Sequence, residues 1–551
     1  MAYESSKWVR TVAVAAILAS APVGAVAAPW FGQRLPPPVN DPGASVVDTT
    51  KVDLPALPAT FGPGPKSPLL NGERIKADVR TIIGFSLESK AAGDYLWGRV
   101  SGTPAYFKTA SWAVDQLKAA GLADARLDEF TATLSIPTAG EVRILGDAAY
   151  GDDSRDVVLQ SAMVGGRGPV NGAVTAPLIY VGHASQADLL GRDVKGKIAV
   201  IHVNVNPGLY SADEIGRTRE LMQAGAAGVI EILDQVGNMQ SFDADRHGCG
   251  TALCFTVGGA DGFFLENMLG KAGAAGKTVS AKLRSTAKTR TGLKTANGVA
   301  TVPGKSDRTI IVNAHADAWF VGGDDNAGGL ATAVALGRYF AKQPKPEHTI
   351  VFLISAGHHT PGIGIPDFRL KHEQDYVDRA DLIINLEHVA NIGLMRAMTT
   401  TQDSNFGRPM VATTAELPKA VAVTNRAPFL VDIWRQGAQC FSLSVQRVVD
   451  TNPPGELGSF RNIQRMAQAL NPTSAGAYKD LKDLTEVPMT QMISAGPLYH
   501  TTGETADSVP AEGLERAARF HAYLIREADR ASKAQLQGAP YAPRTACPQT
   551  P

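Results

Sequence analysis

Residues 309–329 read TIIVNAHADAWFVGGDDNAGG, and the reading of this stretch decides the fold. It opens on a continuous apolar run, Thr309–Ala314, with no polar alternation. A strand that is apolar on both faces belongs in the middle of a sheet covered by helices on each side. Two more such runs follow, Thr349–Ser355 and Asp381–Leu386, each ending in a polar turn. Repeated strand, turn and helix predicts an α/β fold: a mixed, mostly parallel sheet flanked by helices. Such sheets bind ligands at the C-terminal ends of their strands.

The chemistry-bearing side chains fall at those ends. His315 and Asp317 are two apart at a strand end and so project from the same side. A carboxylate at that spacing can hold the tautomer of a metal-bound imidazole. Asp324, Asp325 and Asn326 open a helical pattern through Leu330, Val334 and Phe340, where a carboxylate can cap the helix or face a site. The second run leads into His358-His359, and the third into Asn385-Leu386-Glu387-His388. A fourth group, Tyr499-His500-Thr501-Thr502-Gly503-Glu504, precedes the last helix, near Ala511–Ala531. Each alone has a bland reading as a structural histidine, a cap, a solvated turn or an ion pair. Four in order along one sheet edge make a site.

Outward from this core the chain has a different texture. Lys7 and Arg10 precede an apolar stretch that ends in Ala25-Val26-Ala27, the layout of a secretory signal peptide over residues 1–27. A secreted or periplasmic location is expected. Residues 28–70 are proline-rich, an extended arm. Helical spacing marks residues 71–93 and 103–120; in the second, Phe107, Ala110, Val114 and Leu117 define the buried face and Gly121 the stop. A strand-like stretch, 125–145, follows. Residues 150–290, rich in Gly, Ala and Val, hold short apolar strands (Leu178–Val181, Lys197–Val203, Val229–Leu233) and read as a strand-rich insertion. No GxGxxG is present, so a dinucleotide loop gains little support.

Lys plus Arg and Asp plus Glu both number 53. This balance argues against a nucleic-acid partner. No apolar run beyond the N-terminus reaches the roughly 20 residues of a membrane span, so no membrane association is expected once the signal is removed. Among the four cysteines, Cys249 and Cys254 flank one short turn and are the expected disulfide; Cys440 and Cys547 form a second pair or stay as thiols.

The HxD, DDNxxG and YHxxxET motifs resemble the M28 family of zinc peptidases, close in layout to the glutamate carboxypeptidase group with an inserted protease-associated (PA) domain. The resemblance covers roughly residues 71–530. It implies two zinc ions bridged by Asp325, one completed by His315 and Glu387, the other by His359 and His500, with Asp317 as the orienting carboxylate. It divides the chain into a signal peptide (1–27), an arm (28–70), the first part of the catalytic domain (71–149), a β-rich PA-like insertion (150–290), the metal-binding α/β domain (291–535) and a tail (536–551). The family carries a Glu-Glu pair, base then ligand, where this chain has His358-His359. It usually has aspartate where this chain has Glu387.

With one carboxylate fewer, a site for one or two Zn²⁺ remains. His359 can ligate, and a neutral His358 can act as an atypical base. The leading expectation is an exported metal-dependent hydrolase of an amide or peptide bond. The alternatives are a catalytically dead binding protein on the same scaffold and an altered-chemistry hydrolase of a small non-peptide amide. Trp319, Phe320, Arg447, Ser459, Phe460, Arg461 and Tyr499 are candidates for the substrate rim. A monomer or small homo-oligomer is expected.

Overall fold

The computed structural model describes residues 66–146, 155–165, 171–203, 212–233, 237–242, 249, 252–360, 362–396, 410–416, 419–449, 455–464, 478–493, 496 and 498–545. The expected signal peptide, most of the proline-rich arm, the end of the tail and Cys547 lie outside them.

The α-helices among the described residues are α1 (Gly72–Ala91), α2 (Pro104–Ala120), α3 (Gln186–Leu189), α4 (Ala212–Gln223), α5 (Gly259–Ala274), α6 (Gly329–Phe340), α7 (Gly364–His372), α8 (Pro428–Cys440), α9 (Gly455–Arg461), α10 (Ala511–Arg530) and α11 (Lys533–Leu536). The strands of the first half are β1 (Gly98–Arg99), β2 (Arg126–Ile144), β3 (Val157–Val158), β4 (Met163–Gly165), β5 (Gly172–Tyr180), β6 (Ile198–Val203), β7 (Gly228–Leu233), β8 (Cys254–Val257) and β9 (Ser280–Val302). Those of the second half are β10 (Thr309–His315), β11 (Ala318–Trp319), β12 (Thr349–Ser355), β13 (Ala380–Asn385), β14 (Ile392–Arg396), β15 (Met410–Glu416), β16 (Lys419–Val423), β17 (Val445–Val449) and β18 (Met489–Ile493).

The three apolar runs form the expected strands at the centre of the sheet. β10 lies between β12 and β13, parallel to both, and β13 continues parallel into β18. All residues of β10 and β13 are buried, as apolar strands covered on both faces must be. β16 is antiparallel to β18, and β9 closes the other side antiparallel to β12.

The local signals in the first helices also act as read. Thr103 caps α2 by accepting from the Tyr106 amide, and Gly121 takes φ +112 at its end. The buried face is shifted, however. Tyr106 is fully buried and donates to the Ala296 carbonyl at 2.6 Å, while Phe107 is only half-buried. A polar tip with a partner lets tyrosine go inside, which an apolar count misses.

Residues 150–290, expected as a strand-rich insertion, carry helices as well as strands. β5, β6, β7 and β8 are mutually parallel. Parallel neighbours need crossover connections, and α3 and α4 lie on two of these. Its expected end at residue 290 falls inside β9. That strand starts beside β5, runs along β2 from Ile144 to Arg126, and ends beside β12. Cys249 and Cys254 form a disulfide with Cα atoms 6.2 Å apart, and Cys440 is also disulfide-bonded. No helix among the described residues is long and apolar enough to cross a membrane.

α10 packs against α1 and α6 and buries His521, whose Nδ1–H donates to the Ala517 carbonyl at 2.7 Å beside the Trp434 and Phe520 rings. Burial pushes this imidazole down to about 4. Between that value and about 6.5 the unfolded chain binds a proton that the folded chain refuses. The contribution is therefore complete above pH 6.5 and is lost as pH falls towards 4, by on the order of 3 kcal/mol. His521→Gln is expected to flatten the pH dependence of unfolding free energy in that window. An unchanged slope would mean that this histidine does not titrate there.

Candidate metal centre

β10, β12 and β13 end side by side, which brings His315, the 356–359 turn and Glu387 to one edge. The chain after β10 is held from behind. Arg99 in β1 pairs with β11 and is fully buried. Its guanidinium donates to the carbonyls of Ala316 (3.0 Å), Val321 (2.9 Å) and Gly322 (3.0 Å) and to Ser86 Oγ (2.7 Å). Burial lowers its pKa to about 10, against the pull of Asp317, Asp325 and Glu504. One side chain thus fixes both ends of the loop that carries Asp317 and Trp319.

His315 Nδ1 lies 3.0 Å from the backbone carbonyl of Asp317, and only 3.7 Å from its carboxylate. The tautomer is thus set by the main chain, not by the Asp317 side chain as the HxD spacing suggests. That carboxylate is engaged elsewhere: it accepts the amides of His358 (3.1 Å) and His359 (3.0 Å). It therefore pins the histidine turn, which Gly357 enters at φ +66 where a Cβ would strike Ile363. Burial opposes its ionisation, but His315 and its neighbours hold it well below the usual carboxylate range.

Asp324 and Asp325 do not cap a helix. Regular helix starts only at Gly329; Asp325 (φ −116°, ψ 88°) and Asn326 (φ −139°, ψ 42°) are non-helical, and Asn326 takes the local role by accepting from the Gly329 amide. Asp324 Oδ2 receives His388 Nδ1 (3.0 Å), Asn391 Nδ2 (2.9 Å) and the Gly496 amide (3.2 Å). Burial disfavours the His388 cation, but Asp324 and the other acids carry its pKa up to about 10.

Asp325 is the hub. Its Oδ1 faces His315 Nε2 at 3.0 Å, and its Oδ2 faces His500 Nε2 at 3.0 Å and His359 Nε2 at 3.3 Å. Glu387 Oε1 lies 3.4 Å from His358 Nε2, 3.6 Å from His388 Nε2 and 3.9 Å from His315 Nε2. Its Oε2 accepts from Asn385 at 2.8 Å. Two ligands of one tetrahedral zinc, each about 2.0–2.1 Å from it, are about 3.3 Å apart, so these spacings suit a shared ion.

Hydrogen bonding fits the same account. His315 Nε2, Asp325 Oδ1 and His359 Nε2 are buried without a hydrogen-bond partner, despite their proximity. Burial opposes the His315 imidazolium, but Asp317 and Asp325 outweigh it and raise its pKa well above normal. Burial drives His359 the other way, to the neutral form that ligates. The donor set therefore fits one or two zinc ions: His315, Asp325 and Glu387 on one side, Asp325, His359 and His500 on the other.

Three supporting acids and an arginine stand outside the expected ligand and catalytic residues. Glu504, in the quoted YHTTGET motif, accepts from the His500 amide (2.9 Å) and the Asp325 amide (3.2 Å); burial, then Asp325 and Asp324, push its pKa well up. Asp324 reads as a cap. Glu456 in α9 accepts from Ser355 and Asn313 behind the histidines, and burial raises it. Nothing in the sequence around Arg99 marks it as buried.

Of the expected rim residues whose side chains are described, Trp319 and Tyr499 touch the cluster. The Trp319 ring is 4.8 Å from His359, 4.8 Å from His500 and 4.7 Å from Phe242, while Tyr499 stacks on His500 at 3.5 Å. Phe460 is core: it is fully buried against Phe368, with its carbonyl held by Arg369. A helix-spaced aromatic gives no sign of which way it faces. Ser459 is buried beside it, Phe320 packs on Trp97, and Arg461 donates to Asn425. The Arg447 side chain lies outside the described residues.

Residues 297–436 match the profile of peptidase family M28. Among solved structures, a peptidase M28 precursor from Shewanella amazonensis is 16% identical, with 86% of this chain and 98% of that one covered at a TM-score of 0.56. A zinc aminopeptidase from Bacillus subtilis is 17% identical, with 85% and 98% covered at a TM-score of 0.52. At such identities the likeness shows a shared α/β fold. Comparison with curated proteins gives no match.

Proposed function

We propose that the chain is a metal-dependent hydrolase of the M28 type that cleaves the amide bond of a peptide or a small amino-acid amide. The observation that carries this is Asp325, whose two oxygens face imidazoles on opposite sides, His315 on one and His359 with His500 on the other. The profile match over residues 297–436 supports the same reading. A bound zinc ion supplies a Lewis acid for the carbonyl and lowers the pKa of water towards about 7.

The chain's own residues do the rest. Asp325 and Glu387 provide the negative charge that retains the ions. Asp317 and Glu504 fix the backbone of the histidine-bearing loops. His358 and His388 both approach Glu387 from outside the five-residue donor set. Trp319, Tyr499 and Phe242 exclude solvent on one side. The proposal includes export by residues 1–27 and a PA-like identity for the insertion.

A second reading, a binding protein on an inactive scaffold, is favoured by one feature: histidines stand at 358 and 359 where the resembling family has glutamates. Metal analysis of the untreated protein, followed by a screen of aminoacyl amides and dipeptides, separates the two. One or two equivalents with turnover supports the hydrolase. Bound metal without turnover on any amide favours the binding protein, and no metal with no uptake of zinc sinks the hydrolase.

The insertion shapes the pocket directly. The Phe242 amide donates to the His500 carbonyl at 3.1 Å, Ser241 bridges Thr501, and the Phe242 ring backs Trp319. Removing this wall should favour larger substrates. Phe242→Ala is expected to shift the kcat/KM ratio between bulky and small aminoacyl amides by about tenfold, with metal content unchanged. An unaltered ratio would place the substrate elsewhere.

A further inference from the structure

We infer that His358 is a ligand of the first metal position, a second imidazole beside His315, Glu387 and the shared Asp325. The inference rests on the proposed metal centre and deepens it, by removing His358 from the proton-transfer role that its place in the sequence suggests.

Three observations carry it. First, the ligand atoms of His315, His358 and Glu387 all lie within 4.8 Å of one another. The first position is defined by His315 and Glu387, and His358 has mutual reach with both. His388 approaches Glu387 too, at 3.6 Å, but its close set is with Asp325 and Glu387. Second, the His358 ring lies beside the His315 ring at 4.3 Å with planes only 25° apart. Stacked in this way, both rings keep Nε2 within 3.9 Å of Glu387 Oε1. At the second position the His359 and His500 rings meet edge to face, with centroids 4.7 Å apart. Third, the turn is fixed: Asp317 holds the amides of both His358 and His359. A side chain on an anchored turn, with its nitrogen 3.4 Å from Glu387 Oε1, is placed as a ligand is.

The chemistry follows from the donors. A ligating nitrogen has its lone pair committed and cannot also accept a proton. The two histidines at 358 and 359 thus divide between the two positions, one each, and each position carries two imidazoles. Such a set selects first-row transition ions, Zn²⁺, Co²⁺, Ni²⁺ or Fe²⁺, over Mg²⁺ and Ca²⁺, which prefer oxygen.

The test uses the full chain loaded with Zn²⁺ and dialysed against graded chelator, with metal counted by elemental analysis. Wild type should retain two equivalents. His358→Ala should retain one under the same conditions, with the weaker equivalent bound at least about 100-fold less tightly, and His388→Met should keep both. Two equivalents in His358→Ala at wild-type affinity would overturn the inference while leaving the proposed function intact. No metal in wild type would instead defeat the proposed function itself.

A measurement on the unaltered protein guards against misfolding of the variant. In the Co²⁺-loaded form, each ligating imidazole that keeps a ring N–H gives one shifted, exchangeable proton resonance. Four are expected, from His315, His358, His359 and His500. Three would place His358 outside the metal shell.

Discussion

Asp325→Ala protein should lose nearly all bound metal and at least about 10⁴-fold in kcat/KM on whatever amide the wild type cleaves. The expectation follows from how few charges the site has. Among the donors only Asp325 and Glu387 are acids, and Asp325 serves both positions through separate oxygens. Without it the second position has only His359 and His500, two neutral donors for a dication. The first retains a single carboxylate. Fold damage should be limited, because relief of charge in a buried cluster offsets part of the lost bonding. Elemental analysis and a melting curve on the same sample separate the effects. Metal retained at wild-type level would sink the assignment of the centre.

Arg99→Ala should destabilise the chain by about 3–5 kcal/mol and weaken metal binding without touching a ligand. Three backbone carbonyls and Ser86 lose their donor together, in a place with no exposure. Each orphaned buried acceptor costs about 1–3 kcal/mol, and water entering the new cavity recovers some of that. Arg99→Lys should rescue little, because an ammonium cannot reach acceptors spread over a planar fork. Urea unfolding gives the stability, and chelator competition gives the affinity. A loss below about 1 kcal/mol would mean that the 316–322 loop keeps its shape unaided.

The central sheet and the convergence of His315, Asp325, His359, Glu387 and His500 were legible because continuous apolar runs locate buried strands. His315, His359 and Glu387 lie at or just past the ends of those runs, while Asp325 and His500 were marked by motif. What escaped notice lacks periodicity. Arg99 and Glu456 are charged residues wholly inside, and nothing in their neighbours announces the carbonyls and hydroxyls that satisfy them. Asp324 has the look of a helix cap, and only the non-helical backbone at Asp325 and Asn326 reveals that it faces His388 instead. Phe460 fell on the wrong side for the same reason: apolar character says that a residue is buried, not against what. The expected edge at 290 rests on a change of composition, whereas β9 continues across it beside β2, with only a register shift between Arg290 and Leu293.

That continuity has a mechanical consequence. β9 pairs with β5 through its first residues, runs as a ribbon with β2, and pairs with β12 through its last. One strand therefore ties the sheet of the 150–290 stretch to the central sheet, and a shortened chain without β9 would leave β12 with an open edge.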